Sequence, residues 1–248
     1  MNIAYHKWYS SRLGRDMELK IYGHAGKAII HFPSQGGRFY EAEDFGLIHS
    51  LETFIENGAI RIITVDSLDH ESWSNMHMHP RDRGFRYAQY EQYLLHEVIQ
   101  LARNGSGNNT ANIGTSGCSM GAYHAANFFF KHTAVFDAVI AISGMYSLRN
   151  LVGEFADDHV YFNSPLMFLK NLEDDHILNH YRNSKITIAV GQGRWEEDMI
   201  RDTLEIKAVL EQKQIPAWVD LWGHDVDHDW PWWRQMMPYF VGKMLGKG

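Results

Sequence analysis

The 248-residue sequence predicts an α/β fold: a mostly parallel central sheet with helices on both faces and an antiparallel hairpin at its N-terminal edge. Three observations carry this expectation. The runs "KAIIHF", "AIRIITV", "FDAVIAIS" and "KITIAV" are short, β-branched and continuously apolar, as strands covered on both faces are. Helical patterns follow them in turn, which is the alternation of a parallel sheet. At the start, "AYHKWYS" and "MELKIYGH" alternate and are joined by the turn signal "RLGRD", the pattern of a hairpin.

The elements follow in order. "KAIIHFPS" closes at Pro33 and feeds the glycine loop "QGG". "EDFGLIHSLETFIENG" places Phe45, Ile48, Leu51 and Ile55 at helical spacing and stops at Gly58, predicting one helix. The strand "AIRIITVDS" leads into a long loop. "RYAQYEQYLLHEVIQLARNG" then reads as a long amphipathic helix ending at Gly105, "GSGNNT" as a surface turn and "ANIGTS" as a short strand. Helical patterns span 120–131, 198–212 and 232–245, and "PAWVDLW" is the last strand. The stretch 146–184 lacks a clear strand and reads as an insertion of short helices. No repeat, low-complexity segment or Pro/Ser-rich linker divides the chain, so one domain over residues 1–248 is expected.

Hydrophobic residues at 45% and charged residues at 21% suit a globular protein with a sizeable core. A net charge of −7 without a basic run argues against a nucleic-acid partner. The single cysteine, Cys118, excludes an internal disulfide framework and suits a reducing compartment. The N-terminus has no signal-like apolar segment, and no stretch reaches the 18 apolar residues of a membrane span. A cytoplasmic protein without a membrane partner is the expectation, with homodimerisation left open.

One stretch carries chemistry. In "GTSGCSMGAYHAANFF", Ser119 is flanked by Gly117 and Gly121, between a short strand and a helix. A Gly-x-Ser-x-Gly match alone arises by chance roughly one time in twelve at this chain length. The strand–turn–helix context makes it a nucleophile elbow: the turn strains the serine backbone, and side chains two residues either side would collide. The small Ala122, Ala125 and Ala126 let the helix pack close to the sheet. The Met120 N–H, at the helix start, is placed to receive an oxyanion. A serine hydroxyl needs an imidazole to take its proton. After the last strand, "DLWGHDVDHDWPWWRQ" offers His228, with His224 four residues earlier. A carboxylate must orient that imidazole, and "GQGRWEED" after "KITIAV" offers Glu196, Glu197 and Asp198. The second oxyanion donor belongs in "PSQGGRFY", at the Gln35 or Gly36 N–H.

With these residues in view, the chain resembles the putative-esterase family of α/β-hydrolases, which includes S-formylglutathione hydrolase (esterase D), feruloyl and acetyl-xylan esterases and mycolyltransferases. The resemblance runs from about Ala28 to the final helix, and "GCSMGAYHA" and "HDWPWW" carry it best. It implies an α/β-hydrolase fold and a serine carboxylic-ester hydrolase with no cofactor or metal, acting on a small-molecule ester. The family's histidine before Asp-Trp favours His228 over His224. Its Gln-Gly-x-x-Asp acid loop resembles "GQGRWE", which puts Glu196 ahead of Glu197, with glutamate in place of the usual aspartate. An acyltransferase would use the same residues. A metal-dependent hydrolase would instead use "HDVDHD" around His224 and His228, with Asp225, Asp227, Asp229, His77 and His79 as further ligands. A third alternative is a non-catalytic binding module on the same fold. Trp73 and Trp230 are candidate substrate contacts; the loop carrying Trp73 and His79 either shapes the pocket or orders itself.

Overall fold

A computed structural model describes residues 1–104 and 112–246. The N-terminal strands β1 (Ile3–Ser10) and β2 (Arg15–Tyr22) form the expected antiparallel hairpin, and β2 joins β4 (Ile60–Val65) antiparallel. From there the sheet is parallel, through β3 (Lys27–Phe32), β5 (Ile113–Cys118), β6 (Phe136–Ile142), β7 (Lys185–Val190) and β8 (Trp218–Leu221). The eight strands lie in the order β1-β2-β4-β3-β5-β6-β7-β8.

Burial explains the sequence pattern. Every residue of β4 and β5 is buried. Alternate residues of one strand feed two separate apolar layers: Ile63 and Val65 pack on one face, Ile60 and Ile62 on the other. Each such side chain contributes about 1.5–3 kcal/mol by leaving water.

The region read as one helix is three short turns instead, α1 (Glu41–Asp44), α2 (Leu47–Ser50) and α3 (Glu52–Glu56). Gly46 breaks the run, because its φ of +77° lies in the left-handed region. The long helix starts at Pro80, before the amphipathic pattern is clear: α4 (Pro80–Tyr93) passes through a π turn (Leu94–Val98) into α5 (Ile99–Asn104). His79 caps it by accepting the Arg81 N–H at 3.3 Å, and proline suits the first turn. The helix end at Gly105, the turn over 105–110 and the first residue of "ANIGTS" lie outside the described residues.

Helix α6 (Met120–Lys131) follows β5. The insertion after β6 is indeed short helices, α7 (Arg149–Val152), α8 (Asp158–Tyr161), α9 (Pro165–Phe168) and α10 (Asp175–Arg182), with one 3-10 turn (Leu169–Asn171). Two long helices, α11 (Glu197–Gln212) and α12 (Trp230–Met244), complete the layers. No helix among the described residues is long and apolar enough to cross a membrane. The chain runs from β3 to β4 on one side, then returns to β5 on the other. Between β3 and β5 the winding reverses, so their C-terminal ends open a crevice where ligands bind in such sheets. Ser119 and the glycine loop are both there.

Candidate active site

Ser119 joins β5 to α6 with φ +57° and ψ −125°, a strained conformation for a residue with a Cβ. The flanking glycines are required by distance. A Cβ on Gly117 would lie 2.3 Å from the Gly121 backbone, and one on Gly121 would lie 2.3 Å from the Phe32 carbonyl oxygen. The elbow is thus pressed against the end of β3. Cys118, beneath it, is fully buried, and burial pushes its thiol pKa well up.

His228 stands against Ser119, its Nε2 2.9 Å from Oγ and its Nδ1 3.1 Å from Glu196 Oε2. A neutral imidazole satisfies both contacts when Nδ1–H donates to the carboxylate and Nε2 accepts the serine O–H. Glu196 has no exposed surface, whereas Glu197 is exposed and Asp198 turns away to Asn150 and Arg201. Trp195 makes this possible: its φ of +65° leaves its ring outside, 68% exposed, while the next residue points in.

The acid and histidine loops are fastened together. His228 N–H donates to the Arg194 carbonyl at 3.0 Å, and the Arg194 guanidinium grips Asp227 Oδ2 at 2.7 and 2.9 Å. That guanidinium holds the Asp227 carboxyl below its ordinary pKa. Gly191 and Gly193 allow the approach, since a Cβ there would meet the Val226 carbonyl oxygen at 2.1 Å and Asp227 Oδ1 at 2.3 Å. Ser143 had no signal in the sequence, and Trp233 showed there only as the last residue of "HDWPWW". Buried Ser143, at φ +56°, donates from Oγ to Glu196 Oε1 at 2.5 Å, and it accepts from Trp233 Nε1 at 3.2 Å. The Trp233 ring also stands edge-on to His228, with centroids 5.0 Å apart.

On the opposite side lies the loop after β3. The Gly36 N–H already donates to Asp69 Oδ2 at 2.9 Å, which corrects its assignment as an oxyanion donor. The Gln35 and Met120 N–H groups meet no acceptor among the described residues. Trp73 is also corrected: it is fully buried against Tyr87, so it orders its own loop and offers no surface to a ligand. Trp230 is half-buried and stacks on Phe45 at 4.6 Å, with Phe45 47% exposed, beside Trp233. This aromatic shelf neighbours His228. His224 sits exposed on the preceding turn, and His77 and His79 are exposed on the long loop. No three His, Cys, Asp or Glu among the described residues are grouped to hold a metal ion.

Comparison with known proteins agrees with this architecture. A family described as "Putative esterase" matches residues 10–244. No curated protein matches. Among solved structures, a ferulic acid esterase superposes with a TM-score of 0.78 at 13% identity, covering 100% of this chain and 98% of its own. An S-formylglutathione hydrolase from Agrobacterium tumefaciens gives 0.74 at 11%, covering 99% and 95%. Another from Staphylococcus aureus gives 0.65 at 16%, covering 98% and 97%. At these identities the structural likeness speaks for the fold, an α/β-hydrolase-type sheet.

Proposed function

We propose that the chain, which belongs to the putative-esterase family and is thereby a carboxylic ester hydrolase, works through Ser119, His228 and Glu196 by way of an acyl-enzyme. The observation that carries this reading is the continuous hydrogen-bonded series from Ser119 Oγ through His228 to Glu196, at 2.9 and 3.1 Å.

His228 Nε2 takes the Ser119 proton as Oγ bonds to the ester carbonyl carbon. The carbonyl oxygen becomes an oxyanion, met by the Met120 and Gln35 N–H groups. The carbon–oxygen bond to the alcohol then breaks, and His228 Nε2–H gives its proton to the departing oxygen. Water repeats the sequence on the acyl-serine: His228 takes its proton, the acid leaves and Ser119 regains its hydrogen. Glu196 stays ionised throughout and holds the charged imidazole in place. The Trp230–Phe45 shelf is the proposed contact for the small-molecule ester. The lone, buried thiol of Cys118 suits a reducing compartment, and the proposal extends to a cytoplasmic enzyme.

The test is hydrolysis of p-nitrophenyl esters, acetate through octanoate, by the wild type and Ser119→Ala, with and without a chelator. The reading expects Ser119→Ala to lose activity by at least about 10⁴-fold and the chelator to change nothing. Activity surviving Ser119→Ala, or lost to the chelator, would overturn it.

A further inference from the structure

The oxyanion side of the site is built from backbone, and its backbone is held by carboxylates the mechanism above does not use. Within 33–37, nearly every N–H is committed. Ser34 donates its N–H to Glu41 Oε2 at 2.7 Å and its Oγ–H to Glu41 Oε1 at 2.6 Å. Gly36 N–H donates to Asp69 Oδ2 at 2.9 Å, and Gly37 N–H to the Ser34 carbonyl at 2.9 Å. Gln35 lies between two anchored neighbours with its own N–H unused. Burial raises the Glu41 carboxyl pKa, as its enclosed position requires.

Asp69 differs from Glu41 in what stands behind it. Its carboxylate is wholly buried, and its second oxygen faces His124 Nε2 at 2.8 Å. His124 lies on α6, five residues after Ser119, and is buried too. Its Nδ1 is 3.1 Å from Tyr87 Oη, which in turn accepts from Asn127 Nδ2 at 3.3 Å. A carboxylate only accepts, so Nε2 carries a hydrogen. In the neutral ring Nδ1 then accepts the Tyr87 O–H. Read this way, every donor in the series points towards Asp69: Asn127 to Tyr87, Tyr87 to His124, His124 to Asp69. Gly36 approaches Asp69 from the other side.

We infer that Asp69, held by His124, is a positioning residue that ties the oxyanion loop to the helix carrying the nucleophile and leaves Gln35 N–H as the second donor. The inference rests on the Ser119 mechanism proposed above. Ser119 and the Gln35 peptide then belong to one rigid unit, because His124 is fixed to α6 and Gly36 to Asp69. Such rigidity is what a pre-organised donor needs, since a group that must reorient during the reaction loses most of its advantage. Gly36 fits the role: at φ +69° its peptide turns onto Asp69, and a Cβ would lie 2.2 Å from His70 Nε2.

The experiment compares a p-nitrophenyl ester with its thionoester, whose carbonyl sulfur accepts hydrogen bonds poorly. The ester-to-thionoester rate ratio reports the oxyanion donors, and damage that slows both substrates equally leaves it unchanged. Wild type, Asp69→Ala, Asp69→Asn and Ser119→Ala are measured together; Asp69→Ser replaces alanine if alanine does not fold. The expected result is a kcat for Asp69→Ala or Asp69→Ser lower by roughly 10- to 100-fold, KM within about twofold, and a ratio falling in step with kcat. Asp69→Asn recovers most of both, because its amide oxygen still accepts the Gly36 N–H and its NH2 donates to His124 Nε2 once the neutral ring carries its hydrogen on Nδ1, facing Tyr87 Oη. An unchanged ratio in the variant lacking that oxygen overturns the inference. Persistent activity in Ser119→Ala would instead remove the mechanism beneath it, so the two failures are separable.

Discussion

Two loop systems converge on Ser119, and they are held by opposite means. On the C-terminal side, residues 191–196 and 223–229 present the side chains proposed to react, His228 and Glu196, fastened by side-chain contacts from Arg194, Asp227, Ser143 and Trp233. On the N-terminal side, the loop after β3 presents a peptide N–H, and the carboxylates that hold it, Asp69 and Glu41, bond to backbone groups. A reacting side chain must be one of a few residue types, and its supports can vary. A reacting N–H belongs to any residue, and only its supports are particular. The difference predicts where each side is fragile.

The largest effect should come from the acid. Glu196→Gln keeps the size of the side chain but removes the charge that selects the productive imidazole tautomer, so kcat should fall roughly 10³- to 10⁴-fold. Glu197→Gln, one residue on and exposed, should stay within about twofold of wild type. Steady-state kinetics of the two variants check this, and equal losses would contradict the assigned orientation.

A smaller effect separates support from chemistry on the same side. Ser143→Gly relieves a positive φ and deletes the hydroxyl that donates to Glu196 Oε1. A buried carboxylate oxygen losing one partner costs about 1–3 kcal/mol. We expect kcat to fall by about tenfold while thermal stability does not drop with it. A loss of stability with unchanged kcat would make Ser143 a packing residue.

The smallest effect at neutral pH lies under the N-terminal loop. His31, on β3, is fully buried with Nδ1 3.0 Å from Ser116 Oγ, and burial lowers its pKa to about 4. The unfolded chain, with an ordinary histidine pKa near 6.5, binds this proton first as pH falls. Stability attributable to the neutral ring is therefore full above about pH 6.5 and is lost progressively towards pH 4, by a few kcal/mol at most. His31→Gln should flatten that part of the stability–pH curve, measured by urea unfolding at pH 7 and pH 4. An unchanged slope would remove His31 as its source.

The same contrast explains what could be read from the sequence. The sheet, the elbow and the meeting of Ser119, Glu196 and His228 were legible because strand burial and chemically distinctive residue types leave marks in composition. Glu196 and Glu197 were hard to separate because their orientation depends on Trp195 adopting φ +65°, which a tryptophan does not announce. Gly36 was an equal candidate with Gln35 until its N–H met Asp69, and Asp69 in "SLDHES" looks like an ordinary turn residue. Trp73 was placed at the mouth because its loop follows β4. It is buried because its indole packs against Tyr87 on α4, a long-range contact that the loop's own sequence does not announce. The three turns at 41–56 were hidden because a helical apolar spacing survives the break at Gly46.

The proposed mechanism puts the acyl group on Ser119. Rapid mixing with p-nitrophenyl acetate, followed by acid quench and peptide mass spectrometry, tests it directly. An acetyl mass is expected on the peptide containing Ser119, formed within one turnover, and none in Ser119→Ala. Turnover of the ester with no acyl mass on that peptide, or with the mass on another residue, would contradict it.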